Sequence, residues 1–252
     1  LMLLQTPRLL LAEIQAILLT RATFVCSEPD RRYLSRFTGS RRLQVVPNSI
    51  PFPASVSAEP SEPLVLFVGT MSYEPNALAA DMLVKEVWPT VRARVPEARL
   101  VIAGTRPELA TSYPPKDPSI SFAGFVDNLG ELYSRARVVC CPITYGAGTR
   151  VKIIEAAAHA RAIVSTPLGA EGLTLADGSE IVLRESPDLL AQECVRLLQD
   201  EVAARQLGLA AREKARCTYD REAVLAQLER LFAAGLGERR SSTVSGSAAQ
   251  RA

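Results

Sequence analysis

The stretch Val138-Val139-Cys140-Cys141, Pro142-Ile143-Thr144-Tyr145-Gly146-Ala147-Gly148-Thr149, Arg150-Val151-Lys152-Ile153-Ile154-Glu155 passes from an apolar run, through a small flexible loop, into residues with helical apolar spacing. Such a pattern reads as strand, loop and helix, with the helix over Arg150–Arg161. A helix N-terminus presents unpaired N–H groups and a partial positive charge, so it is suited to phosphate oxygens. Gly146 and Gly148 let a ligand approach the backbone, and Thr149 can cap the helix or give its hydroxyl to the anion. Arg150 and Lys152 put two cations in the first turn, where each opposes the helix dipole at a cost of a few tenths of a kcal/mol. Their placement makes better sense if an anion is neutralised there. Glu155 stands at i,i+3 from Lys152. It forms a plain intrahelical ion pair with Lys152 or accepts hydrogen bonds from sugar hydroxyls, as acidic residues do for ribose in dinucleotide sites.

Working outward, short β-prone runs recur at Leu64–Val68, Arg99–Ala103, Ile120–Phe122, Ala162–Ser165 and Glu180–Leu183. Helical patterns fill the gaps at Asn76–Val95, Asn128–Ala136 and Pro187–Gln199. Strands alternating with helices of this length predict an α/β fold, a doubly wound parallel sheet of Rossmann-like type covered on both faces. Ligands of such sheets bind beyond the carboxyl ends of the strands. The residues there are Gly69 and Thr70, then Gly104, then Phe125 and Val126, then the Gly146 loop, then Gly169-Ala170-Glu171. Each glycine alone reads equally as an ordinary turn residue, and Glu171 either reaches a ligand or stays solvated.

The flanks differ in character. Residues 1–60 hold a helix, a short strand Thr23–Cys26, a helix capped by Ser27 and ending near Gly39, and a strand Leu43–Val46. Pro47–Pro63, rich in proline and serine without apolar periodicity, reads as a linker. The doubly wound unit is expected over residues 61–235, closing with helices Glu201–Cys217 and Arg221–Leu236. The Ser-, Gly-, Ala- and Arg-rich tail 236–252 is expected to be disordered. The chain opens on Leu1 in mid-helix and reads as the middle of a longer protein.

Composition excludes several classes. Net charge is +2, from 29 basic and 27 acidic residues, too balanced for a broad nucleic-acid footprint. The first twenty residues are broken by Gln5, Arg8, Glu13 and Gln15, which suits an amphipathic helix and not a transmembrane span. Five cysteines make no Cys-x-x-Cys pair and His159 is the sole histidine, so no metal site or disulfide framework is expected. A reducing compartment fits, with the chain cytoplasmic, free or peripheral to the inner face of a membrane.

Gly146-Ala-Gly-Thr-Arg-Val-Lys-Ile-Ile-Glu155-Ala-Ala-Ala, followed by Ile163-Val-Ser-Thr-Pro-Leu-Gly-Ala-Glu-Gly-Leu173, resembles the C-terminal domain of the family 4 (group 1) glycosyltransferases of GT-B architecture. Supporting stretches are Leu66-Phe-Val-Gly-Thr70 with Pro75-Asn76, Leu100-Val-Ile-Ala-Gly104, Phe122-Ala-Gly-Phe-Val126 and the junction-like Val45-Val-Pro-Asn48. The resemblance implies a nucleoside-diphosphate-sugar donor, its base met by main chain at Phe125 and Val126 and its ribose by Glu155. Thr149, Arg150 and Lys152 would serve the diphosphate, with Arg150 and Lys152 as the catalytic pair. It further implies retention of anomeric configuration, no metal or other cofactor, and an acceptor that is a glycan, a lipid or a small molecule. Residues 1–60 would be the end of an N-terminal acceptor domain that is otherwise missing. The chain departs from the family at Ala147, where many members have glutamate, in lacking Arg or Lys over Gly69–Asn76, and at Ala160 and Ala162. A non-catalytic module that binds a sugar nucleotide or docks a partner is the alternative reading.

Overall fold

In the computed structural model of the chain, the described residues are 2–39, 41–56 and 62–237. Six strands form one sheet: β3 (Leu64–Val68), β4 (Arg99–Ala103), β5 (Ile120–Gly124), β6 (Val138–Cys141), β7 (Ala162–Ser165) and β8 (Val182–Leu183). Two further strands, β1 (Thr23–Val25) and β2 (Leu43–Val45), pair separately. The large sheet has the order β5-β4-β3-β6-β7-β8 with every pairing parallel. It is the doubly wound sheet expected. Strands β3, β6 and β7 are buried at every position, which is why their sequences are apolar without alternation. From β3 the chain winds outward through β4 and β5, then returns to β6 and winds the other way. That reversal puts the topological switch point between β3 and β6, and opens a crevice at their carboxyl ends.

The connecting helices pack on the two faces, and three of them differ from the sequence reading. Asn76–Val95 is not one regular helix. It divides into α3 (Glu74–Met82), a π-helical turn Leu83–Val87 and α4 (Trp88–Arg94). Pro89 has no N–H to donate one turn back, and the wider turn, with Trp88 N–H donating to Leu83 O, absorbs the missing bond. Helix α5 (Leu129–Arg135) begins at Asn128, whose side chain accepts from Gly130 N. Helix α6 (Val151–Ala158) is shorter than Arg150–Arg161. Ala160 turns to φ 54°, and Arg161 N–H closes on Ala156 O, ending the helix. The last strand keeps only Val182–Leu183 of Glu180–Leu183, because the Glu180 carboxylate turns back to accept from Ala176 N–H at 2.6 Å. Helices α7 (Pro187–Gln199), α8 (Glu201–Tyr219) and α9 (Arg221–Gly237) complete the unit.

Upstream, α1 (Met2–Leu19), β1, α2 (Glu28–Thr38) and β2 make a small parallel pair with its own core of Ile17, Val25 and Leu43. Ser27 caps α2, and Gly39 ends it at φ 74°. Helix α9 comes back to this unit. Phe232 meets Phe24 edge-on at 6.0 Å between ring centroids, and Gln227 Nε2 donates to Val45 O. Residues 47–56 are no free linker. Ile50 exchanges backbone hydrogen bonds with Tyr219 and Arg221 at the α8–α9 corner, Arg212 reaches Pro53 O, and Phe52 packs on the main core. The remainder of the expected linker at 57–61, and residues 238–252 of the expected disordered tail, lie outside the described residues.

Candidate functional site

Two loops face each other across the crevice, Gly69–Tyr73 after β3 and Pro142–Arg150 after β6. They are joined by side chains. Lys152, near the start of α6, donates to Asn76 Oδ1 at 2.7 Å, while Asn76 Nδ2 donates to Thr70 O at 2.9 Å. Lys152 Nζ also stands 4.2 Å above the centre of the Phe67 ring. Neither partner carries a formal negative charge. Burial therefore lowers the Lys152 pKa from its usual 10.5, only partly offset by attraction from Glu155.

Glu155 lies one turn further along α6. It accepts from the Tyr133 hydroxyl at 2.8 Å, and the same hydroxyl reaches Lys152 O at 3.3 Å. Desolvation raises the Glu155 pKa above 4.5, although Tyr133 and Lys152 both pull it down. Lys152 and Glu155 thus each hydrogen-bond to a neutral group and not to each other, so the plain i,i+3 ion pair is not what forms. Two partly desolvated charges, each short of an opposite partner, are a costly arrangement in an unliganded protein and mark a candidate binding site.

Arg150 is arranged differently. Its guanidinium folds back to donate to Ala147 O at 2.8 Å, Gly146 O at 3.0 Å and Tyr145 O at 3.5 Å, and the residue is 7% exposed. Its Nε is buried with no partner among the described residues. In this state Arg150 latches the loop, and its charge is spent on carbonyls. Arg150→Lys keeps the charge but loses the planar fork, so it is expected to lower the unfolding free energy by about 2 kcal/mol, measured by urea denaturation. A variant as stable as the parent would show that the latch contributes nothing. Thr149 does not cap α6 through its side chain. The N-cap position is Arg150, with no side-chain capping bond, and the Thr149 carbonyl accepts from Val151 N–H at 3.1 Å.

The glycines divide by role. A Cβ on Gly69 would come within 2.8 Å of Lys152 Nζ and 2.7 Å of Asn76 Cγ, so Gly69 makes room for the lysine. Gly146, at φ 97°, lies under Tyr73 and Pro75. Around Gly148, at φ 95°, a Cβ would meet nothing within 4 Å, which leaves the backbone open to the crevice.

A family model described as "Glycosyl transferases group 1" matches residues 62–200, more than half of the chain. The chain belongs to this family. It is 28% identical over 222 residues to the phosphatidyl-myo-inositol mannosyltransferase of Mycobacterium tuberculosis, a match covering 82% of this chain and 57% of that protein. It is 23% identical over 172 residues to an uncharacterized 44.6 kDa protein of the Klebsiella pneumoniae cps region, covering 65% and 44%. The chain thus spans little more than half the length of its mycobacterial relative. Among solved structures it is similar to S. aureus TarM, solved with fondaparinux, alpha-GlcNAc-glycerol and UDP. That match has TM-score 0.74 and 17% identity, covering 87% of this chain and 45% of that one. It is also similar to sucrose-phosphate synthase from Thermosynechococcus elongatus, with TM-score 0.73 and 22% identity, covering 91% and 62%. The fold is that of GT-B glycosyltransferases.

In this group 1 glycosyltransferase chain the residues singled out in the sequence fall into two groups. Gly69, Thr70, Gly146, Gly148, Thr149, Lys152 and Glu155 gather at the β3–β6 switch point, with Arg150 behind them. Gly104 stands one strand away. Phe125, 72% exposed, and Val126 follow β5 at the sheet edge, two strands from β3 and so about 10 Å from it. Glu171 is exposed in the loop after β7, where Gly172 packs on Ser27 of the upstream unit. His159, at the end of α6, stacks on Tyr133 with 5.1 Å between ring centroids. Tyr133 and Asn76 were not identified from sequence, since a tyrosine and an asparagine inside helical patterns give no local sign of a partner 22 or 76 residues away. Among the described residues, no group of three or more His, Cys, Asp or Glu could hold a metal ion, and no helix is long and apolar enough to cross a membrane.

Proposed function

We propose that the chain is the donor-binding half of a family 4 glycosyltransferase, holding a nucleoside-diphosphate sugar in the β3–β6 crevice. The observation that carries this reading is the pair Lys152 and Glu155, a cation and a carboxylate desolvated side by side with neutral partners. Lys152 and the open backbone at Gly148 meet the diphosphate, Glu155 accepts from the ribose hydroxyls, and main chain at Phe125 and Val126 meets the base. As the bond from the sugar carbon to the diphosphate oxygen breaks, its electron pair passes to that oxygen and Lys152 meets the new charge. The acceptor hydroxyl oxygen bonds the same carbon with retained configuration, its proton passing to the departing diphosphate oxygen, and no metal or other cofactor takes part. Catalysis needs the acceptor-binding part of the complete enzyme, of which residues 1–60 are the end, and the acceptor is a glycan, a lipid or a small molecule. Two similar proteins support the class of ligand: the mycobacterial relative is named as a mannosyltransferase, and TarM was solved with UDP.

The test is calorimetric titration of the full chain with UDP-, GDP-, TDP- and ADP-sugars, repeated on Glu155→Gln. One donor series should saturate the parent, with affinity falling about tenfold in the variant. Because the folded pKa of Glu155 is raised, the ionised form destabilises the fold above the unfolded value of 4.5. Below that value the carboxyl is neutral in both states and the cost disappears. Glu155→Gln is therefore expected to melt about 2 °C higher than the parent at neutral pH, with the gain vanishing in acid. Absence of binding by every donor would overturn the proposed function.

A further inference from the structure

Beyond the diphosphate and ribose positions, the crevice mouth carries a group of polar and aromatic side chains that neither uses. The segment Tyr73-Glu74-Pro75, the N-cap and first two residues of α3, lies against the loop after β6. A Cβ on Gly146 would come within 2.5 Å of the Tyr73 hydroxyl and 2.9 Å of Pro75 Cγ, and the Tyr73 hydroxyl donates to Ala147 O at 3.4 Å. Glu74, between these two residues, is exposed, and its carboxylate acts on the nearby Tyr145 hydroxyl. Tyr73 and Tyr145 are themselves about two-fifths exposed, at 40% and 38%. Partial desolvation and the nearby Glu74 carboxylate push the Tyr145 hydroxyl up to about 12, so it stays protonated at any physiological pH.

The order of groups along the crevice is fixed by the chain. Glu155 lies beyond Lys152 on α6, whereas Tyr145 and Gly146 precede Lys152 in the loop. A nucleoside diphosphate whose ribose meets Glu155 and whose phosphates meet Lys152 directs its distal phosphate toward Gly146. Whatever is esterified to that phosphate arrives at Tyr73, Glu74 and Tyr145. A carboxylate only accepts hydrogen bonds and can take two from neighbouring hydroxyls, while phenol rings offer apolar faces with a polar edge. That chemistry matches a pyranose, with its vicinal hydroxyls and its C–H face.

We infer that Glu74, beside Tyr145 at the crevice mouth, accepts hydrogen bonds from hydroxyls of the transferred sugar and is the residue that distinguishes a sugar nucleotide from the bare nucleoside diphosphate. This rests on the donor-site reading above. Glu74→Gln preserves size at an exposed position, so the fold is retained. Tyr145→Phe removes only the hydroxyl beside Glu74.

The experiment titrates the full chain and both variants with UDP-glucose, GDP-mannose, UDP and GDP. The expected result is that Glu74→Gln weakens the bound sugar nucleotide about tenfold and Tyr145→Phe about threefold, while the matching nucleoside diphosphate binds all three proteins equally. Equal losses for the sugar nucleotide and the bare diphosphate would place Glu74 on the phosphates or base and overturn the inference. So would unchanged affinity for both, which would leave the donor site standing without this contact. Failure of these four nucleotides and of TDP- and ADP-sugars to bind the parent would instead remove the donor-site reading, and this inference with it.

Discussion

Lys152→Met is expected to lower nucleoside-diphosphate affinity about a hundredfold while leaving the unliganded protein more stable than the parent. The first effect follows from position. Lys152 is the first-turn cation of α6 whose ammonium faces the opposite loop, since the Arg150 guanidinium is engaged by the carbonyls of Tyr145, Gly146 and Ala147. A charged hydrogen bond in a partly desolvated crevice contributes about 1.5–3 kcal/mol, which sets the magnitude. The second effect follows from burial. The folded pKa of Lys152 is lowered from 10.5, so the cost of holding its charge is fully present below that lowered value and disappears as pH rises through it toward 10.5. Methionine fills the same space over Phe67 without that cost. Thermal melts across pH should show the variant ahead at neutral pH and the gap narrowing in base. A variant that loses binding and stability together would make Lys152 a structural lysine.

Gly104→Ala should be the most damaging small substitution in the molecule, with a loss of about 3 kcal/mol or more. Gly104 adopts φ 147°, and a Cβ there would overlap the Gly69 carbonyl oxygen and approach Thr70 N at 3.2 Å. Those contacts are backbone and have nowhere to retreat. The β3 and β4 ends are tied on both sides, by Gly69 N–H to Ala103 O and by Met71 N–H to Thr105 O, both 2.9 Å. Gly104 therefore serves the junction of two strands, a structural role that its place on the rim leaves compatible with a ligand beside it. Urea denaturation of the variant checks this, and a loss below about 0.5 kcal/mol would refute it.

The alternation of apolar runs with helical patterns made the sheet and its strand positions legible, because buried parallel strands need apolar residues on both faces and crossovers need helices. Glycine-rich loops and the charged start of α6 made the switch-point site legible for the same local reason. What could not be read were matters of partnership. Arg150 and Lys152, two residues apart, take opposite roles because one side chain meets carbonyls of its own loop and the other meets Asn76 from α3. The proline-rich stretch looked free, since composition does not record that the α8–α9 corner offers hydrogen bonds to Ile50. Pro89 falls inside the helical pattern Asn76–Val95, and the π-helical turn before it is the means by which it is tolerated.

The most direct test of the central claim is the crystal structure of the chain with the nucleoside diphosphate that binds it best. The expected result places the phosphates between Gly148 and Lys152 and the ribose hydroxyls on Glu155, with the Lys152 ammonium turned from Asn76 to the ligand. A nucleotide bound elsewhere, with Lys152 still donating to Asn76 and Glu155 still held by Tyr133 alone, would contradict it.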